Sequence, residues 1–151
     1  MKKILLIVTI STCSLFFISM NAQVSFRLNI ASQPIWGPVG YDHVEYYYLP
    51  EIDAYYYVPG HKYYYNENGR WVSHANLPAR YHDFNLYNTR KVVINERRPY
   101  NHHQEYRTKY TTVNGSSHEQ SIRDSHEGRY FENKSHPEHG KWKEYKKTQG
   151  R

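Results

Sequence analysis

Aromatic side chains are the residues of this sequence whose type and spacing could carry a function. The chain of 151 residues contains 17 tyrosines and three tryptophans, and tyrosine triplets begin at positions 46, 55 and 63. Grouped rings stack on sugars, and with arginine or lysine beside them they suit contacts with proteins or anionic polymers. The centres of the triplets and the tryptophan that follows them, or else their neighbours on the opposite face, form the candidate binding surface: Tyr47, Tyr56, Tyr64 and Trp71.

Ten histidines, a high number for this length, raise the alternative of a metal site. Neutral imidazoles bind zinc, copper or nickel, and two clusters stand out: His102 and His103 with Glu105, and His136 with His139. A tight site requires three or four ligands on a rigid frame. Solvated histidines are therefore the favoured interpretation, and a periplasmic metal-binding protein is kept as the alternative function.

Paired carboxylates offer a third chemistry. Glycoside hydrolysis uses two carboxyl groups about 5–10 Å apart across a cleft, and Glu51 and Asp53 are the nearest pair of this kind. They lie in a predicted turn, where acids are common, and a small meander makes a poor deep cleft. The sequence also lacks the GxSxG, HExxH, Walker and GxGxxG motifs. A small hydrolase is therefore the least favoured function, and we expect neither an enzyme nor a cofactor.

Alternating aromatic runs separated by turn residues predict the sheet that positions these rings. Asn and Gly within 66–69 supply the positive-φ positions of a tight hairpin. Both faces are aromatic, so we expect one to pack on another part of the chain while the other stays partly wet. The predicted antiparallel strands are 44–49, 54–58, 61–65 and 70–74.

The flanking segments complete a mainly β fold, a small antiparallel meander with a short helix. Residues 24–30 alternate strictly between apolar and polar and predict a half-buried strand. Residues 91–95 predict one more short strand, and 101–110 a short helix with Tyr106 and Tyr110 one turn apart. The Tyr-rich β domain is expected to span residues 23–110.

Residues 111–151 are predicted to form a disordered charged tail. Apolar residues are sparse there, against eight Lys or Arg and six Asp or Glu. Such a composition buries too little surface to offset the entropy of ordering the chain. A substitution within it, such as Gly128→Val, should leave the stability unchanged.

Residues 1–22 have the pattern of a secretory signal peptide: Lys2 and Lys3, an apolar run, and Ala22 before a cleavage point at Gln23. The only cysteine, Cys13, lies inside the apolar run, so we expect no lipid anchor and no disulfide in the mature chain. No transmembrane segment is expected after cleavage. Losing Lys2 and Lys3 lowers the formal charge from +6 to +4, a mild excess that favours acidic envelope polymers over nucleic acid.

Several segments resemble a group of small exported, Tyr-rich proteins of Gram-negative bacteria, which share a "YYYLP-x-I-x-x-YY" core after a signal peptide. The resemblance covers roughly residues 24–110, and it implies export and a small β-rich fold. The group has no established activity, so it assigns no catalytic or binding residue. The segments that carry it are Val39–Tyr57, Gly69–Val72, Leu77–Pro78, Lys91–Ile94 and Arg98–Tyr100.

The sequence thus predicts an exported, non-enzymatic protein of the periplasm or the outer-membrane surface. Its expected partner is a protein or a cell-envelope polymer bound through the Tyr-rich sheet, and nucleic acid is not expected. The sequence leaves the oligomeric state open.

Overall fold

The computed structural model describes residues 29–110 and 119–150. The predicted signal peptide, and residues 24–28 of the predicted first strand, lie outside these ranges. Within them, no helix is both long and apolar enough to cross a membrane. The strands are β1 (Tyr46–Leu49), β2 (Ala54–Tyr57), β3 (Lys62–Glu67), β4 (Arg70–His74) and β5 (Val92–Ile94), and the α-helices are α1 (His103–Tyr110) and α2 (Trp142–Gln149).

The five strands form one antiparallel sheet in the order β4-β3-β2-β1-β5. The first four are the predicted meander, and the predicted strand near 91–95 returns to pair with β1. Tyr47 on β1 therefore lies between Val93 on β5 and Tyr56 on β2, its partners on the two neighbouring strands. The mainly β fold class and the short helix before residue 110 are therefore confirmed.

The β3–β4 hairpin has a two-residue loop, because Glu67 pairs with Arg70. Asn68 has φ 51° and Gly69 has φ 82°, the left-handed values that a type I′ turn requires at both positions. The side-chain oxygen of Asn66 accepts the N–H of Gly69 at 2.9 Å. The predicted turn residues are right, although β3 runs two residues further than expected.

One face of the sheet packs on Trp36 and on the irregular segment 77–87. The Trp36 ring lies 5.4 Å from that of Tyr47 and 5.1 Å from that of Tyr56, centroid to centroid. Burial of so much aromatic surface drives folding. This face presents Tyr47, Leu49, Ala54, Tyr56, Tyr63 and Tyr65.

The opposite face packs on α1 and on the 3₁₀ turn Pro99–His102 that leads into it. The sheet presents there Tyr46, Tyr48, Tyr55, Tyr57, Tyr64 and Trp71, and the helical side contributes Tyr100, Tyr106 and Tyr110. Tyr48 and Tyr55 are completely covered. Both faces are thus covered for most of their area, and the expected wet face is confined to one end of the sheet.

The prediction of a strand over 24–30 is wrong at its described end, because Ile30–Ser32 forms a 3₁₀ turn. The side chain of Asn29 fastens this turn to the segment before β1. Its oxygen accepts the N–H of Val44 at 2.9 Å and its amide donates to the carbonyl of Val44 at 2.6 Å. Both backbone groups of Val44 are thus paired with a side chain and not with a neighbouring strand.

The prediction of a disordered tail is wrong for residues 119–150, whereas 111–118 lie outside the described ranges. Ile122 and Tyr130 are fully buried and form a second small core with Ile30. Ser121 makes a β-bridge with Pro38. Composition alone misses this packing, because the apolar partner surface is supplied by the segment 30–39 and not by the tail.

Polar contacts also fasten residues 119–150 to the segment 33–42. The side-chain amide of Asn133 donates to the Gln33 carbonyl at 2.5 Å. The hydroxyl of Tyr130 accepts the Gly40 N–H at 2.7 Å, and Arg129 lies 2.8 Å from Asp42. Buried polar groups with partners of this kind cost little to bury, so a polar segment can fold against the rest of the chain.

Candidate functional site

A cleft of about 630 Å³ opens on the α1 side of the sheet, at the end where β1 begins and β2 and β5 end. This volume lies within the range of small-molecule binding sites. Strand residues, the segment that follows β5 and the 3₁₀ turn before α1 all contribute. The lining consists of His43, Glu45, Tyr46, Tyr57, Tyr64, Asn95, Glu96, Arg97, Arg98 and Tyr100.

Four tyrosine rings line this tyrosine cleft, three of them partly exposed and the fourth, that of Tyr46, 6% exposed. The Tyr46 and Tyr57 rings, from paired positions on β1 and β2, lie 4.8 Å apart. The Tyr64 ring stacks on that of Tyr100 at 4.9 Å with the planes 11° from parallel. Tyr64 also meets Tyr46 nearly edge-on at 6.2 Å. The rings hold one another in fixed orientations, so their surfaces are preorganised for a ligand that stacks.

Two tyrosines of the cleft, Tyr46 and Tyr57, have raised pKa values and are neutral at physiological pH. Burial raises the pKa of Tyr46 to about 12, with the neighbouring phenols of Tyr100 and Tyr64 adding to the shift. Burial also raises the pKa of Tyr57. A neutral phenol donates and accepts hydrogen bonds, so the partly exposed ring of Tyr57 offers an apolar face together with a polar edge.

Both carboxylates of the cleft have partners within the protein. Glu45 lies 3.2 Å from the Nε2 of His43. Glu96 accepts the hydroxyl of Tyr106 at 2.6 Å and contacts His102 Nδ1 at 2.8 Å. These hydrogen bonds, from Tyr106 first and then His102, lower the pKa of Glu96.

The four predicted ring positions do not lie on one face. Tyr47 is fully buried, and its hydroxyl donates to the side-chain oxygen of Gln33 at 2.9 Å. Tyr56 is 7% exposed on the same face, with its hydroxyl 3.2 Å from His61. Both tyrosines belong to the core beside Trp36 and not to a surface. That part of the prediction is wrong.

Tyr64 and Trp71 lie on the α1 side, and only Tyr64 lines the cleft. Trp71 packs between Tyr55, at 5.6 Å, and His103, at 4.9 Å. The sequence reasoning missed Tyr100, and it included Tyr46 and Tyr57 only as neighbours of the named rings on the opposite face. The hairpin registers could have paired these two, because residues opposite each other on antiparallel strands share a face.

The histidines of the metal hypothesis are separated by the fold. His102 contacts Glu96, while His103 lies among aromatic rings with its Nδ1 3.1 Å from the hydroxyl of Tyr55. His136 is buried, with Nε2 3.1 Å from the Ser125 carbonyl and Nδ1 accepting the N–H of Glu138. The Nδ1 of His139 lies 2.7 Å from the Phe131 carbonyl. Across the described ranges, no three His, Cys, Asp or Glu residues are grouped to hold a metal ion.

The carboxylates of the hydrolase hypothesis are engaged in structural contacts. Asp53 accepts the hydroxyl of Tyr48 at 2.9 Å and lies 3.5 Å from the Nε of Arg107. Glu51 accepts the backbone N–H of Arg90 at 3.4 Å. Neither carboxylate lines the tyrosine cleft. Their positions fasten the β1–β2 connection to α1 and to the segment before β5.

No protein family, curated protein or solved structure matches this chain. The geometry of the cleft therefore carries the functional argument by itself.

Proposed function

We propose that this chain is an exported, non-enzymatic protein that binds a saccharide chain of the cell envelope in the tyrosine cleft. The observation that carries the proposal is the open cleft lined by the partly exposed rings of Tyr57, Tyr64 and Tyr100, with the largely buried ring of Tyr46 among them. Sugar rings present C–H faces that stack on aromatic rings and hydroxyls that pair with polar groups at the edges. A site with both features suits a saccharide better than a purely apolar ligand.

The openness of the site favours a polymer over a small metabolite. The cleft lies at an end of the sheet, and its rim carries exposed residues such as Asn95 and Arg97. A chain that enters from one side and leaves at the other fits such a groove. Among the partners that the sequence suggests, a polymer of the cell envelope meets this description best.

Export rests on the sequence of residues 1–22, with its basic start, apolar run and small residue before Gln23. Expression of the full chain followed by intact-mass measurement of the envelope fraction tests this part. The expected product begins at Gln23. A product that retains residues 1–22 would contradict export with cleavage.

We propose that the protein is not an enzyme because Glu96, a carboxylate of the cleft, is poorly suited to acid–base catalysis. General acid–base chemistry requires a carboxyl group positioned on the substrate with a pKa near the working pH. The pKa of Glu96 is instead lowered by its hydrogen bonds from Tyr106 and His102. Such a carboxylate is a poor proton donor at neutral pH. Its hydrogen bonds instead orient the side chains of Tyr106 and His102.

Co-sedimentation of the purified protein with peptidoglycan sacculi, and its capture on immobilised lipopolysaccharide, test the binding. Tyr64→Leu and Tyr100→Leu keep the apolar bulk but remove the flat ring faces. The control is Tyr41→Leu, since Tyr41 is 39% exposed and lies outside the cleft. Melting curves of all three variants confirm that they are folded.

The expected result is binding to at least one of the two polymers that both cleft variants weaken by about tenfold, as the loss of one good stacking contact implies. The Tyr41 variant should bind like the unsubstituted protein. Binding to neither polymer, or binding that the folded cleft variants leave unchanged, would overturn the proposal.

A further inference from the structure

Two arginines on the rim of the tyrosine cleft distinguish this cleft from a site for uncharged sugars. Arg97 and Arg98 are both exposed and both line the cleft. In the ranges 29–110 and 119–150, neither side chain forms an ion pair, a hydrogen bond or a stacking contact with an aromatic ring. By contrast, Arg80, Arg123 and Arg129 each lie over a tyrosine ring.

Among the described residues, neither carboxylate of the cleft forms an ion pair with these two guanidinium groups. The Glu45 carboxylate lies against His43, and that of Glu96 is held by Tyr106 and His102. The positive charge of Arg97 and Arg98 is therefore available to a ligand. A guanidinium presents a fork of N–H donors that matches the two oxygens of a carboxylate or of a phosphate.

The backbone at Arg98 is a second, independent feature of this rim. Arg98 has φ 53° and ψ 55°, a left-handed conformation that is uncommon for a residue other than glycine. It is followed by Pro99, and its carbonyl accepts the N–H of Asn101 at 3.0 Å, which closes the turn carrying Tyr100. One short turn thus joins a rim cation to the stacking ring. Conformations of this kind are often found at binding sites.

From this arrangement we infer that the tyrosine cleft selects acidic saccharides, with Arg97 and Arg98 binding the anionic group of the sugar that contacts the stacked pair of Tyr64 and Tyr100. The inference rests on the proposed function and adds the class of ligand to it. The anionic group is a carboxylate or a phosphate, both of which the guanidinium fork accepts. The excess of basic residues over acidic ones in the chain as a whole acts in the same direction.

Calorimetry of the purified protein with three oligosaccharides tests the inference. The first is a tetramer of galacturonic acid, and the second is its methyl ester, which has the same rings without the charge. The third is a delipidated core oligosaccharide of lipopolysaccharide, which carries phosphate. The acid tetramer or the phosphorylated core is expected to bind at least about tenfold more tightly than the methyl ester, a ratio typical of charge-assisted hydrogen bonds.

Arginine variants identify the residues responsible. The double substitution R97Q/R98Q should reduce the ratio of the affinities for the anionic ligand and the methyl ester to about one. Raising the salt from about 0.05 M to about 0.5 M should also lower this ratio. The control R70Q/K143Q removes the same charge from exposed residues outside the cleft, and it should keep the preference.

The outcomes separate the inference from the proposed function. Equal binding of the acid tetramer, its methyl ester and the phosphorylated core would overturn the selection for anions and leave saccharide binding standing. A preference that R97Q/R98Q does not change would also overturn the inference. If none of the three binds and the envelope polymers do not bind either, both fail together.

Discussion

The ring of Tyr64, on the third strand, stacks on the ring of Tyr100, which lies in the turn before α1, with centroids 4.9 Å apart and planes 11° from parallel. The chain between these two residues contains β4 and β5, so the contact joins segments that are distant in the sequence. It also forms one wall of the tyrosine cleft. Replacing either ring should therefore affect both the stability of the fold and the proposed binding of a ligand.

A double-mutant cycle measures the strength of this stack. Each of Tyr64→Leu and Tyr100→Leu removes it without opening a large cavity, and aromatic pairs of this geometry contribute about 0.5–1.5 kcal/mol beyond burial. Urea unfolding of both single variants and the double variant should give a coupling energy in this range. Strict additivity of the two single effects would contradict the packing of the turn on β3.

The hairpin between β3 and β4 should be sensitive at Gly69. A valine there has open space but must adopt φ 82°, which costs about 1–2 kcal/mol. We expect Gly69→Val to lower the melting temperature by several degrees. The control is Gly140→Val, at a position with equally open space and without a positive φ. Equal melting of the two variants would show that the turn is placed wrongly.

Gly128 tests whether residues 119–150 are folded. A Cβ at this position would lie 2.1 Å from the Tyr145 ring, so this ring would have to shift and its packing between α2 and Gly128 would be lost. Contrary to the expectation of an inert tail, Gly128→Val should therefore expose α2 to limited proteolysis, while the unsubstituted protein resists cleavage between 119 and 150. Rapid cleavage of the unsubstituted chain within this range would contradict the fold of the segment.

The buried phenols predict a loss of stability in alkali. The unfolded chain releases its phenolic protons near pH 10, whereas the folded chain keeps them to higher pH because burial raises the pKa values. The contribution to stability is therefore complete below about pH 10 and is lost as the pH rises above it. The tyrosines with raised pKa are Tyr46, Tyr47, Tyr48, Tyr55, Tyr56, Tyr57, Tyr63, Tyr65 and Tyr106.

An alkaline titration followed by tyrosinate absorbance and near-ultraviolet circular dichroism checks this prediction. The part of the absorbance change that belongs to these nine tyrosines should appear as one steep step above pH 10 that coincides with loss of the circular dichroism signal. A gradual titration centred near pH 10 with an unchanged circular dichroism spectrum would mean that the phenols are not buried.

The sheet was predictable because its signals are local. Period-two alternation, together with turn residues such as Asn68 and Gly69, defines a meander from the sequence alone. The pairing of β5 with β1 was not predictable in this way, because it joins Val93 to Tyr47 across 46 positions of the chain. The folded segment 119–150 was missed for the same reason, since its partners lie near residue 35.

The candidate site was only partly predictable because a one-residue shift exchanges the two faces of a strand. Tyr47 and Tyr56 are centres of their triplets and lie opposite each other, but the centre of the third triplet, Tyr64, lies opposite Tyr55. The length of the connection between Tyr57 and Lys62 determines this shift. Tyr100 could not be placed at all, because its position depends on how α1 folds back onto the sheet.

Amide NMR spectra recorded during titration with the acid tetramer or the phosphorylated core show directly whether the tyrosine cleft is the binding site. Shift changes are expected to cluster at residues 43–46, 57, 64 and 95–100, around the tyrosine cleft, and to disappear in the Tyr100→Leu variant. Saturable shift changes that cluster instead on α2 or on the segment 77–87, or that persist unchanged without the Tyr100 ring, would contradict the assignment of the cleft as the binding site.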